Sequence, residues 1–169
     1  KMGIESHIDP VPSIFLGTSD ISLYEMVGAY STFANKGVYI EPLFVTRIED
    51  KEGNVISTFK PKQSEAISEQ TAYLMINLLQ NVVKQGTAIR LPITYNLTNP
   101  IAGKTGTTQN QSDGWFMGVT PNLVSGVWVG GENRGIHFRG ITLGQGANMA
   151  LPIWALYMKG AYEDEKLNY

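Results

Sequence analysis

Between Ile101 and Gly130 the chain reads "IAGKTGTTQNQSDGWFMGVTPNLVSGVWVG", and this segment constrains the fold more than any other. Strands are predicted at Ile101 to Thr108, Gly114 to Val119 and Leu123 to Gly130, and the last two are joined only by Thr120-Pro121-Asn122. So short a turn makes an antiparallel hairpin. A domain built on this segment needs helices to cover the sheet, and the flanking sequence supplies them.

Ser22-Leu23-Tyr24-Glu25 has the form of a capping box. The serine hydroxyl accepts a first-turn N–H while the glutamate reaches back. Leu23, Met26, Val27, Tyr30, Phe33 and Ala34 then recur at helical spacing, which makes Met26, Tyr30 and Phe33 core candidates, and Gly37 suits a left-handed stop. Val38 to Ile40 and Leu43 to Ile48 read as strand, and Val55 to Phe59 reads as a hairpin partner across the turn at Asp50 to Asn54. Ser68 caps a second helix with Ala72, Met75, Ile76, Leu79, Val82 and Val83 on one face and Gly86 at its end. Lys1 to Asp20, Lys60 to Ile67, Thr87 to Asn99 and the glycine-rich Gly131 to Ala147 read as connections, the last with a short strand near Phe138 to Leu143. A final helix is expected over Ala147 to Tyr162, with Pro152 near its first turn. Helices flanking an antiparallel sheet define an α+β domain.

Composition narrows the function. The 169 residues suffice for one domain with a core, and 17% charged residues fall below the ordinary ~25%. A net charge of −2 offers no basic patch for nucleic acid. With no cysteine there is neither a disulfide framework nor a thiolate metal site. His7 and His137 stand isolated, without ligand spacing, so no metal site is expected. The longest apolar run, Met149 to Met158, is shorter than the ~20 residues of a membrane span. The chain opens on Lys1 rather than Met, and an upstream segment carrying a signal or anchor is expected.

Lys104-Thr105-Gly106 is the feature that points to chemistry. Glycine lets another backbone approach closely. The hydroxyls of Thr105 and Thr107 share one face of a strand, since side chains alternate, and both can donate to a carboxylate. An edge N–H can donate to a developing oxyanion, and Lys104 adds positive potential. The same triplet also suits an ordinary edge strand whose lysine discourages aggregation.

A wider pattern favours the first reading. "AGKTGTT", "DGWFMGVTPNLVSGVWVGG" and "ALPIWALYM", with the earlier "LGTSDISLYEMVGAYSTFANKGVYIEP", occur in that order over nearly the whole chain. Together they resemble the later part of a penicillin-binding transpeptidase domain, most of all that of the bifunctional, class A proteins, whose third motif is Lys-Thr-Gly. The resemblance implies a partial β-lactamase/transpeptidase-like fold spanning residues 1–169. It implies that Lys104, Thr105, Gly106 and Thr107 form one wall of the active site. Thr105 and Thr107 would bind the carboxylate of a D-Ala-D-Ala stem-peptide donor or of a β-lactam, with Thr108 beside them, and the Thr107 N–H would be half of the oxyanion hole. Asp113 and Trp115 would shape that side of the cleft, although Trp115 equally suits the core. No cofactor and no metal are implied.

The family's nucleophile is the serine of Ser-x-x-Lys, and the one match here is Ser57-Thr58-Phe59-Lys60. Its spacing puts both side chains on one face of a helix but on opposite faces of a strand. This segment reads as strand, and Pro61 disfavours helix at Lys60. No Ser-x-Asn occurs. The expectation is therefore a nucleophile on polypeptide outside this chain, with the upstream half of the domain as partner. The site would lie on the extracytoplasmic face of the bacterial inner membrane, its anchor and any glycosyltransferase domain also outside. A non-catalytic binding or scaffold module and a serine β-lactamase are the competing readings.

Overall fold

The computed structural model describes residues 1–167. Its centre is an antiparallel three-stranded sheet in the order β5 (Ala102–Thr107), β6 (Asp113–Val119), β7 (Val124–Gly130). Strands β5 and β6 pair from Ala102↔Val119 to Thr107↔Gly114, and β6 and β7 from Asp113↔Gly130 to Val119↔Val124. All three predicted strands are present to within a residue or two at each end.

Helices close both faces. The last helix, α5 (Gly146–Glu163), crosses one face, and α1 (Leu23–Ala34) and α2 (Glu69–Gln85) cover the other. On the α5 side, Phe116 and Trp154 are fully buried among Leu91, Ala150, Leu151 and Met158. The indole fits because Gly118 lies beneath it, where a Cβ would fall 2.1 Å from the ring. On the other side Leu79, Ala102 and Val119 form a smaller core, with Tyr30 and Phe33 half-buried against it.

The helix ends follow from local chemistry. Ser22 Oγ accepts the Glu25 N–H at 3.2 Å and Glu25 Oε2 accepts the Ser22 N–H at 3.0 Å, the capping box read from sequence. Ser68 Oγ likewise accepts the Thr71 N–H. Gly37 takes φ +89°, and a Cβ there would meet the Ile67 carbonyl at 2.2 Å, so glycine is required by conformation and by space.

Elsewhere the structure differs from expectation. Of the strand expected over Leu43 to Ile48, Leu43 to Thr46 is not strand and Arg47 and Ile48 are. Only Arg47–Glu49 (β2) pairs, with Val55–Thr58 (β3), in a hairpin that buries no residue. Val38–Ile40 (β1) pairs with Gln63–Glu65 (β4), inside a stretch read as loop. The stretch Thr87 to Asn99 contains a short helix, α3 (Arg90–Tyr95), with Pro92 in its first turn, where no N–H is needed for the helix. Pro12–Leu16 forms a 3-10 turn, and the strand expected near Phe138 to Leu143 is replaced by a single helical turn, α4 (Ile141–Gly144).

Candidate active site

Among the described residues, strand β5 has a neighbouring strand on one side only, so its other edge is open. The Thr108 N–H donates to the Asp113 carbonyl, one step beyond the Thr107↔Gly114 pair. Hydrogen-bonded and non-bonded pairs alternate along an antiparallel ladder. Residues 104 and 106 therefore turn their N–H and C=O groups toward β6, and Gly103, Thr105 and Thr107 turn theirs to the open edge. The Lys104 ammonium sits at that edge, donating to the Thr105 carbonyl at 2.8 Å.

The side chains sort by face. Thr105 pairs in register with Phe116, which faces α5, so Thr105 and Thr107 both lie on the α5 side. Lys104 and Gly106 belong to the opposite face. Thr107 Oγ1 accepts the Gly146 N–H, from the first residue of α5, at 2.9 Å. That bond uses an oxygen lone pair and leaves the Thr107 proton free to be donated. Thr105 Oγ1 lies 2.8 Å from Thr87 Oγ1, on the turn that follows α2.

The end of β5 is tied down by its neighbours. Thr108 Oγ1 accepts the Asp113 N–H at 2.9 Å and shares a bond with Ser112 Oγ. Asp113 Oδ1 is buried and has no hydrogen-bond partner among the described residues. Trp115 is half-buried at the position opposite both Gly106 and Trp128, and a Cβ at Gly106 would touch its Cβ at 3.0 Å. An apolar cavity of about 350 Å³ opens at the same end of the sheet, between Ser112, Gly130, Phe138 and Met149, but none of the residues from Lys104 to Thr107 line it.

Three sequence candidates belong elsewhere. Ser57 is in β3, paired with Ile48, and Lys60 lies beyond the strand end, so the pair has no helical geometry. His7 bonds Asp9 and His137 bonds the Phe138 carbonyl, both at the surface. Sequence reasoning missed Thr87 and Gly146. Both reach β5 through contacts distant in the chain, and no local pattern marks them.

An antiparallel sheet crossed on one face by α5 and covered on the other by α1 and α2 is the fold of the penicillin-binding transpeptidase class. Penicillin-binding protein 1A of Haemophilus influenzae superposes with a TM-score of 0.82 at 26% identity, over 93% of this chain and 28% of that one. PonA1 of Mycobacterium tuberculosis, solved in complex with penicillin V, superposes at 0.76 and 25% identity, over 96% of this chain and 47% of that one.

The family model for the penicillin binding protein transpeptidase domain matches residues 13–133, and the chain belongs to that family. Penicillin-binding protein 1A of Aquifex aeolicus is 36% identical over 162 residues, which is 94% of this chain and 21% of that protein. The chain thus spans about a fifth of the length of this relative.

Proposed function

We propose that residues 1–169 are the C-terminal part of a serine D,D-transpeptidase domain that cross-links peptidoglycan stem peptides and is acylated by β-lactams. The observation that carries this reading is the open edge of β5, to which the Thr107 N–H turns and at which the Lys104 ammonium sits, with the Thr105 and Thr107 hydroxyls on the adjoining α5 face.

The chemistry follows from those groups. A serine on polypeptide beyond these residues attacks the D-Ala-D-Ala carbonyl, and the Thr107 N–H stabilises the oxyanion, a contribution worth ~3 kcal/mol. Thr105 and Thr107 hold the donor carboxylate, and the lysine charge favours the anion. The C–N bond breaks, D-alanine leaves with a proton on its amine, and an acceptor amine then attacks the acyl-enzyme and releases the serine. A β-lactam carbonyl acylates the same serine. Asp113 and Trp115 border the site, one step along β6 from the residues paired with Thr107 and Thr105. The working protein is held at the extracytoplasmic face of the inner membrane by an anchor outside this chain.

Intact mass after incubation with benzylpenicillin tests the reading. The isolated chain should gain no adduct, and the full-length protein should gain one penicilloyl group per site. A stoichiometric adduct on the isolated chain would put the nucleophile among its own serines and overturn the half-site reading.

A further inference from the structure

We infer that Thr87 is a positioning residue of the site, donating its hydroxyl proton to Thr105 so that the Thr105 proton is presented to the carboxylate of the donor peptide or β-lactam. This rests on the reading of Thr105 as a carboxylate-binding residue.

The two β5 hydroxyls face the same task and need the same support. A threonine hydroxyl has one proton and two lone pairs. To donate to an anion dependably, its oxygen should accept a bond from behind, which fixes the rotor and polarises the O–H. For Thr107 that bond comes from a backbone N–H, at Gly146, and can run only one way. For Thr105 the partner at the corresponding position is Thr87 Oγ1, at 2.8 Å. When Thr105 gives its proton to a carboxylate, only Thr87 can be the donor in that pair. The result is a relay of two hydroxyls ending on the ligand.

Thr87 is also held where this requires. The chain crosses from α2 on one side of the sheet to α3 on the other at this point. Gly86 before it packs so closely on the last turn of α2 that a Cβ would fall 2.8 Å from Val82 Cα. Ala88 after it is fully buried, and its N–H donates to the Val82 carbonyl at 3.1 Å. Thr87 itself is exposed, so burial does not demand a polar partner for it. The flanking residues fix the backbone, and the hydroxyl is left to Thr105.

The test uses the full-length protein and two probes, benzylpenicillin and its methyl ester, which lacks the carboxylate charge. Acylation rate constants are compared for wild type, Thr87→Val, Thr87→Ser and Thr105→Val. Loss of the hydroxyl bond that orients Thr105 predicts about a tenfold fall with the free acid for Thr87→Val. The ester rate should stay within about twofold, and Thr87→Ser should restore the acid rate. An equal fall with acid and ester, or no fall at all, would overturn the role of Thr87 while Thr105→Val still discriminated between the probes. If Thr105→Val treated acid and ester alike, the reading of Thr105 would fail first, and that of Thr87 with it.

Discussion

Trp154 meets Phe116 edge to face, with ring centroids 5.0 Å apart and planes at 62°. Both rings are fully buried, and the indole N–H donates to Ser125 Oγ at 2.8 Å. This pair joins α5 to the middle strand of the sheet. Trp154→Ala should cost about 3–5 kcal/mol. Trp154→Phe should cost less, through imperfect filling and the lost Ser125 bond. A fall in the denaturation midpoint at unchanged slope would check both, and a midpoint that Trp154→Ala leaves in place would show that α5 is not held this way.

Gly146 is a second joint between the same elements, with no room for a side chain. A Cβ there would fall 2.2 Å from the Gly106 carbonyl oxygen and 2.7 Å from that of Trp115. Gly146→Ala must lift the first turn of α5 and draw its N–H away from Thr107. Destabilisation of about 1–3 kcal/mol is expected. In the full-length protein, β-lactam acylation is expected to slow in Gly146→Ala to the extent that it slows in Thr107→Val. Normal acylation in Gly146→Ala would separate Thr107 from the helix start.

Glu25 gathers the N-terminal segment onto α1. Its carboxylate accepts the Ser6 hydroxyl at 2.6 Å, the Ser22 hydroxyl at 2.7 Å, and the N–H groups of Ser6 and Glu5 at 2.7 and 2.9 Å. These bonds, the Ser6 hydroxyl foremost, hold its pKa well below the ordinary carboxylate range. A lowered folded pKa contributes stability that is present above the unfolded value of about 4.3 and lost as pH falls through the range below it. The protection factors of Glu5 and Ser6 against hydrogen exchange should therefore fall on acidification below about pH 4, and in Glu25→Gln they should be low already at neutral pH. Protection that does not change with pH would sink the assignment.

The outer faces of two helices are apolar and uncovered. Leu74 and Leu78 on α2 are 61% and 62% exposed, and Ile153 and Leu156 on α5 are 50% and 63% exposed. Strand β7, like β5, has one open edge. Such faces and edges favour association. The isolated chain should elute above the mass of a single copy in size-exclusion chromatography with light scattering, and Leu78→Glu with Leu156→Glu should lower that mass. A compact monomer that unfolds cooperatively would contradict the reading of this chain as part of a larger domain.

What could be read from sequence was local. Ser22 and Glu25 are three residues apart and declare their helix without help from elsewhere. The three central strands are bounded by glycine, proline and asparagine, and Lys104 to Thr107 announce themselves as a motif. The failures were contacts across the chain. Gln63–Glu65 is polar and becomes a strand only because β1 comes alongside. Leu43 to Val45 is apolar yet exposed, with no partner strand to complete the pattern. Arg90–Tyr95 was hidden by Pro92, which reads as a breaker unless the helix start is known. Thr87 and Gly146 share this character: each matters through a neighbour on a distant segment.

The outward N–H of Thr107 has a consequence for how this protein can change. It belongs to the main chain, so every amino acid encoded at that position supplies it, except proline. A library of side-chain substitutions would score position 107 by its hydroxyl alone and pass over the amide without a signal. Exchanging that peptide bond for an ester, oxygen in place of N–H, is the alteration that isolates it. Substitution can change the hydroxyl at position 107, and proline alone removes the amide hydrogen.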